Sequence, residues 1–377
     1  MFGNAITIFR LAGFDVRIDL SWLIVFALVV WSLASGVFPD VYPGLNAPAY
    51  WGMGIAGALL LFFSILLHEL AHAAVGRRHG LQVRSITLFV FGGVADLHEE
   101  PPTAEAELKM ALAGPATSLA IAGVLFLAAI LADIAGLPRI AWVVAGYLAA
   151  MNLVLFLFNM IPAFPLDGGR VLRAWLWYRS GDIRSATRRA SVSGSFFGIL
   201  IMALGVLFLF AGNFIGGLWW ILIGFFIRNA AHLSYSQLFI RDALEGKPVR
   251  SFMTPDPVKV PRSISIRELV NEYFYRSHHK LYPVVDDDRL IGCVTTGAVR
   301  QLPMDEWDRQ TVGSIAESCS PENAVAADED ALEALVRMTR SKRSRLVVLE
   351  GDRLVGVVTL KDLLSFLSVK MEIEARK

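Results

Sequence analysis

The chain has 377 residues, 55% of them hydrophobic and 18% charged, with a formal net charge of +1 at pH 7. Soluble proteins carry about 25% charged residues, so the composition points to a membrane, and the near-neutral balance excludes a reading built on nucleic acid. The two cysteines, Cys293 and Cys319, are too few for a disulfide framework or a cysteine-based zinc cluster.

In chain order, the first 230 residues hold six apolar stretches long enough to cross a bilayer, near 18–38, 52–75, 110–132, 140–161, 195–212 and 214–229. The first follows Arg10 and Arg17 in the manner of a signal peptide, but its length and the spans after it mark a retained helix. Basic residues set the orientation. Arg77, Arg78, Arg84 and Lys109 lie between spans two and three. Arg170, Arg173, Arg179, Arg184, Arg188 and Arg189 lie between spans four and five, whereas the opposite connections contain only Arg139. The expectation is a multi-pass protein of the cell membrane whose N terminus, basic loops and C-terminal region face the cytoplasm.

Span two contains the segment LLHELAH, residues 66–72. Ionisable residues inside a span are costly and mark function. His68 and His72 stand four apart, on one helix face, which suits two imidazoles on one zinc ion with Glu69 beside them as general base. A catalytic zinc commonly takes a third protein ligand. Arg77 marks the cytoplasmic end of the span, so at about 1.5 Å per residue the pair lies within about 13 Å of that end. Span four runs toward the same face and stops in FNMIPAFPLDGGR, residues 158–170, where Pro162 and Pro165 break the helix. Gly168 and Gly169 there allow unusual backbone angles. Asp167 thus reaches a similar depth, although D-G is also a common turn. His79, His98, Glu99 and Glu100 in the loop after span two are competing candidates.

The pair of motifs, HELAH at 68–72 and NMIPAFPLDGG at 159–169, resembles the site-2 protease family of intramembrane zinc metalloproteases. The resemblance covers about residues 5–240. It implies one zinc ion per chain on His68, His72 and Asp167, with Glu69 activating water and Asn159 positioning substrate or stabilising the oxyanion. The family's A-G-P helix recurs at Ala113, Gly114 and Pro115, but the usual Asn a few residues later is absent and Thr117 and Ser118 follow, so the resemblance leaves a polar role for that helix open.

The loop after span two also holds residues 84–97, RSITLFVFGGVADL, preceded by Val83. The segment is rich in β-formers and too short to span as a helix, and Gly92 and Gly93 interrupt it in the manner of a bulge or close backbone approach. In the family such a segment looks like a membrane-associated sheet whose edge holds unwound substrate by strand addition, which makes Gly92 and Gly93 candidate substrate-binding residues. A structural hairpin under the membrane core is the alternative. Asn152 and Asn159, seven apart on span four, are expected to face the bundle.

Past residue 240 the chain becomes charged and alternating. DDRLIGCVT at 287–295 returns as GDRLVGVVT at 351–359. Each copy follows a helical stretch, 266–274 or 332–340, and an apolar strand, 282–285 or 345–349. This repeat resembles a cystathionine-β-synthase (CBS) domain pair over about residues 247–371. The resemblance implies an adenine-nucleotide site at Thr359 and Asp362, whereas the first repeat keeps Thr295 but has Ala298 at the Asp position. A homodimerising module without ligand is the alternative.

The reading is therefore a polytopic α-helical membrane protein of six transmembrane helices with a small membrane-associated β segment, followed by a soluble α+β CBS domain pair. The expected limits are 1–240 for the protease domain, 241–252 for a linker, and 253–308 and 309–371 for the two CBS domains. The expected activity is zinc endoproteolysis within or next to the membrane segments of membrane-anchored proteins, with the CBS pair sensing nucleotide. A CBS-regulated transporter or channel is the rival. It should carry ionisable or broken segments in several spans, whereas here they converge on spans two and four.

Overall fold

The computed structural model describes residues 5–11, 13–89, 92–97, 100–287 and 289–374 of the chain. Two compact units result, Met1–Ser236 and Gln237–Lys377. The first opens on an antiparallel hairpin, β1 (Ile6–Leu11) and β2 (Phe14–Ile18). Helix α1 (Leu20–Ser32) continues through a π turn, Leu33–Val37, into the short α2 (Phe38–Val41). After α3 (Ala47–Arg78) come β3 (Val83–Phe89) and β4 (Gly92–Leu97). Then follow α4 (Ala104–Ile134), α5 (Arg139–Asn159), α6 (Asp167–Ser180), α7 (Ile183–Phe210) and α8 (Phe214–Leu244), the last eight residues of which belong to the second unit.

Among the described residues six helices are long and apolar enough to cross a membrane: 20–41, 47–78, 104–134, 139–159, 183–210 and 214–244. Most run past their apolar windows because polar residues build their ends. Asn46 accepts from the amide of Ala49 at 3.1 Å, Thr103 from that of Ala106 at 3.1 Å, and Asp182 from that of Arg184 at 2.9 Å. Each cap satisfies an amide that a helix start leaves without an intrahelical partner.

The four strands of this unit form one sheet in the order β1-β2-β3-β4. The first hairpin therefore extends the expected 83–97 segment, with β2 parallel to β3 and β3 antiparallel to β4. Its apolar face packs Phe14, Val16, Val83 and Ile86 against Leu66 and Ala73 of α3 and Met110 of α4. Arg77 fastens the end of α3 to the same sheet. Its guanidinium lies 3.5 Å from the centre of the Phe14 ring and donates to the carbonyls of Gly13 and Val83, each at 2.8 Å. On the opposite side, Asn152 of α5 is fully buried and donates to Ser64 Oγ of α3 at 3.2 Å. The helix that carries HELAH is thus held from two sides.

Helix α6 was not expected from the sequence. Asp167 begins it, and Gly181, in the left-handed region at φ 70°, ends it. Gly168 and Gly169 lie inside its first turn, so the expected unusual backbone angles are corrected. They are needed for closeness instead: a Cβ on Gly169 would strike the backbone of Ala163 and Phe164, and one on Gly168 that of Met160 and Ile161. The Pro-rich loop is folded onto the helix that follows it.

The second unit contains β5 (Thr254–Pro255), β6 (Val260–Pro261), β7 (Leu281–Asp286), β8 (Arg289–Thr295), β9 (Ala324–Ala326), β10 (Arg345–Glu350) and β11 (Arg353–Thr359). They form two sheets, β5-β11-β10-β9 and β6-β7-β8. The hairpins β7–β8 and β10–β11 have the same antiparallel register, from Leu281↔Thr295 and Arg345↔Thr359, and each shifts register once. The sequence repeat is therefore a repeat of structure. Helix α8 ends only at Leu244, so the first residues of the segment read as a linker are helical. Cys293 is buried on β8, and burial pushes its thiol up to about 12; Cys319 is exposed.

Candidate metal centre

His68 and His72 sit one turn apart on α3, both buried, and Asp167 comes from the first position of α6. His68 Nε2 lies 3.1 Å from His72 Nε2 and 3.1 Å from Asp167 Oδ2, and His72 Nε2 lies 3.2 Å from the same oxygen. Among the described residues these three are the group whose ligand atoms could share a metal ion. The spacing fits zinc. Tetrahedral ligands at about 2.0–2.1 Å from one ion stand about 3.3 Å apart.

The other ring nitrogens are occupied. His72 Nδ1 lies 2.6 Å from the carbonyl oxygen of Met110, an acceptor only, so that nitrogen carries the proton and leaves a lone pair on Nε2. His68 Nδ1 is 2.9 Å from Ser118 Oγ. Hydrogen bonds of this kind fix ring orientation and tautomer at metal centres. Both partners belong to α4, whose polar role the sequence leaves open, and the hydroxyl of Ser118 takes the orienting position in the absence of an Asn.

Gly114 of the same helix lies directly over the imidazoles. A Cβ there would come within 2.6 Å of His68 Nε2 and closer still to His72 Nε2. No other residue leaves that space to a metal.

Glu69 follows His68 on α3, near enough to His72, His68 and Asp167 to feel their charges. Its side chain lies on the backbone of Gly93, where an added Cβ would be 3.0 Å from Glu69 Cδ and 3.2 Å from Oε1. Gly93 belongs to β4, an outer strand of the sheet that pairs with β3 through Leu88↔Gly93 and Phe89↔Gly92. The structure thus brings Gly92, Gly93 and Glu69 to one place. Asn159, half-buried at the end of α5, donates to the carbonyl of Leu155 at 3.0 Å, and no described contact joins it to the three ligand residues. Of the competing ligands, His79 lies just past the end of α3 and Glu100 pairs with Arg173. His98 and Glu99 lie outside the described residues.

In the second unit Thr359 and Asp362 bond each other. Thr359 Oγ1 donates to Asp362 Oδ2 at 2.7 Å, and the amide of Asp362 returns a bond to Thr359 Oγ1 at 3.1 Å. They form a capping box at the start of the helix Leu360–Glu374. Both also line a cavity of about 360 Å³ together with His278, His279, Arg345 and Lys361. In the first repeat Thr295 caps the amide of Ala298 at 3.2 Å with no acid to answer it.

A multi-pass helical domain with two buried histidines and a partly buried aspartate brought together, joined to a duplicated α+β module, defines a membrane-embedded metalloprotein with an appended CBS pair. Comparison with known proteins places it further. The model of peptidase family M50 matches residues 56–138 and 138–205, and that of the CBS domain matches 249–304 and 312–369. Rip3 of Mycobacterium tuberculosis is 38% identical over 371 residues, covering 97% of this chain and 93% of its own. "Zinc metalloprotease MJ0392" of Methanocaldococcus jannaschii is 29% identical over 367 residues, covering 97% and 96%. The solved "Site-2 Protease from Methanocaldococcus jannaschii" covers 61% of this chain and 94% of its own, with 30% identity and a TM-score of 0.43. The chain belongs to peptidase family M50, the site-2 proteases, and is a zinc metalloprotease of the membrane with a CBS domain pair.

Ser118→Ala removes the partner of His68 Nδ1 and is expected to weaken zinc affinity by about 10- to 100-fold. Competition with a chromophoric chelator in detergent measures this. Wild-type affinity would take Ser118 out of the account.

Proposed function

We propose that the protein is an intramembrane endopeptidase that holds one zinc ion on His68, His72 and Asp167. It cuts membrane-anchored proteins within or next to their transmembrane segments. The observation that carries this reading is the convergence of three ligand atoms within 3.2 Å while both Nδ1 atoms are engaged elsewhere. The chemistry that zinc supplies in such a site is polarisation of the scissile carbonyl and a water pKa brought toward 7.

The remaining work falls to the chain itself. Glu69 is the group placed to take the proton of the attacking water and return it to the departing amine. Its contact with Gly93 gives β4 a reason to carry glycine there, because a side chain would displace the carboxylate. A substrate must be extended for its carbonyl to be reached, and the outer strand β4 offers backbone donors and acceptors for an added strand. Gly92 and Gly93 would then pass the substrate beside Glu69. Asn159 is assigned to holding the substrate carbonyl, a role that requires its amide to leave Leu155 when substrate enters.

The basic residues between α3 and α4 and between α5 and α7 favour a cytoplasmic position for those loops, the N terminus and the CBS pair. Water would then reach the site from the cytoplasm. In the CBS pair, Thr359 and Asp362 are assigned to the ribose of an adenine nucleotide, with the cations of the same cavity facing its phosphates. The pair would join two copies of the chain as a homodimer.

Glu69→Gln is expected to abolish cleavage of a membrane-anchored reporter while zinc stays bound, since the residue handles protons and not metal. Metal analysis beside His68→Ala checks it: equal zinc loss in both would undo the assignment, and wild-type cleavage by Glu69→Gln would sink the protease reading.

For orientation, single cysteines introduced at 45 and 213, after replacement of Cys293 and Cys319, should react with an impermeant reagent in intact cells. Cysteines at 80 and 180 should not. The reverse pattern would put the site near the outer face.

Asp362→Ala is expected to weaken binding of AMP, ADP or ATP by about 10- to 150-fold, the effect of losing a charged acceptor worth about 1.5–3 kcal/mol. Calorimetry on the whole protein in detergent reads the change. Absence of binding to the wild type would leave the pair as a dimerisation module.

A further inference from the structure

One group of charges in the membrane unit lies outside the chemistry above. Arg173, on α6, is 3% exposed. Its Nε donates to Glu107 Oε1 of α4 at 2.6 Å, its Nη2 forms an ion pair with the same carboxylate, and Nη2 also reaches Glu100 Oε2 at 3.0 Å. Glu107 is fully buried. The guanidinium also lies 5.2 Å from the centre of the Phe164 ring, in the loop that leads into Asp167. Burying such a pair is costly, and replacement by apolar residues often stabilises a protein. Its presence here calls for a job other than stability.

The placement supplies the job. Asp167 and Arg173 share α6, separated by about 9 Å of helix rise. On α4, Gly114 and Ser118 lie within about 20° of Glu107 on the helical wheel. One stripe of α4 therefore carries the anchor for Arg173, the glycine over the imidazoles and the hydroxyl that orients His68. The two histidines are set by α4, and Asp167 must be set against the same reference. Arg173 supplies the link, because a guanidinium fork fixes direction as well as distance.

We propose that Arg173 is a positioning residue: with Glu107 and Glu100 it fixes α6 on α4 so that Asp167 stands at ligand distance from His68 and His72. It touches neither metal nor substrate. The inference rests on the metal-centre reading, and the controls separate the two. Wild type should take up Co(II) with a tetrahedral d–d spectrum, and His68→Ala should not. Failure of either control counts against the metal centre itself.

The test compares Co(II) affinity and spectrum in detergent. Arg173→Met alone would strand the Glu107 carboxylate and could unfold the unit, so the informative variant is Arg173→Met with Glu107→Leu. This removes both charges at similar volume. Expected are a monodisperse, folded protein, Co(II) binding weakened about 10- to 100-fold, and a d–d band changed in position or intensity as Asp167 drifts. Arg173→Lys keeps the charge without the fork; it should fold and fall between the two, and it decides the matter if the double variant does not fold. A folded double variant with wild-type affinity and spectrum, or a wild-type result for Arg173→Lys where the double variant fails to fold, would overturn the proposal.

Discussion

Two imidazole nitrogens and a carboxylate oxygen meet within 3.2 Å inside a bundle whose other interior side chains are mostly apolar. In such a medium polar groups are costly unless each has a partner, and that constraint organises the membrane unit. His72 takes the Met110 carbonyl, His68 takes Ser118, Asn152 takes Ser64, and Arg173 takes Glu107. Each bond also joins two different helices. In these four cases the partnering of a polar group and the alignment of two helices are one contact, whereas Trp22 Nε1, Glu107 Oε2, Asn152 Oδ1, Thr187 Oγ1 and Ser191 Oγ are buried with no hydrogen-bond partner among the described residues.

Helix α4 is the reference element in this arrangement, although it contributes no ligand. It touches α3 through both histidines and α6 through Glu107, and its glycine leaves room between them. Helices α3 and α6, which carry the candidate ligands, are far apart in sequence, so neither local propensity nor a shared turn can set their distance. A third body in contact with both can.

Much of this was legible in the chain. HELAH stands out because helical spacing and membrane burial act on the same five residues, and PLDGG because prolines stop a helix at the matching depth. Helix α6 was hidden by its start: Asp-Gly-Gly is poor helix sequence by propensity, and only packing on the preceding loop explains it. The β1–β2 hairpin was hidden because Arg10 and Arg17 read as flanks of a span, not as residues within paired strands. Arg173 was counted among the loop cations that set topology. Nothing local distinguishes a buried arginine from an exposed one; Glu107, its partner, lies far away in sequence and also sits in a loop-like charged run. Ser118 was missed because a hydroxyl can orient an imidazole as well as an amide can, so the search for Asn was too narrow.

The CBS unit shows the converse case, in which a residue has a structural duty before any ligand arrives. Thr359 Oγ1 caps the helix Leu360–Glu374 by accepting from the amide of Asp362, whose Oδ2 accepts back from Thr359, and they would do so in a module that bound nothing. Thr295 caps its own helix without an acid, so the cap does not require one. What a cap alone leaves unexplained is the carboxylate at 362 in a cavity lined by Arg345, Lys361, His278 and His279. A carboxylate near Arg345 and Lys361 can serve them as a partner, but among the described contacts no ion pair joins Asp362 to either. The acid is held by Thr359 at the helix start, and Arg345 and Lys361 line the same cavity. That division of charge suits a ligand with hydroxyls at one end and anionic groups at the other.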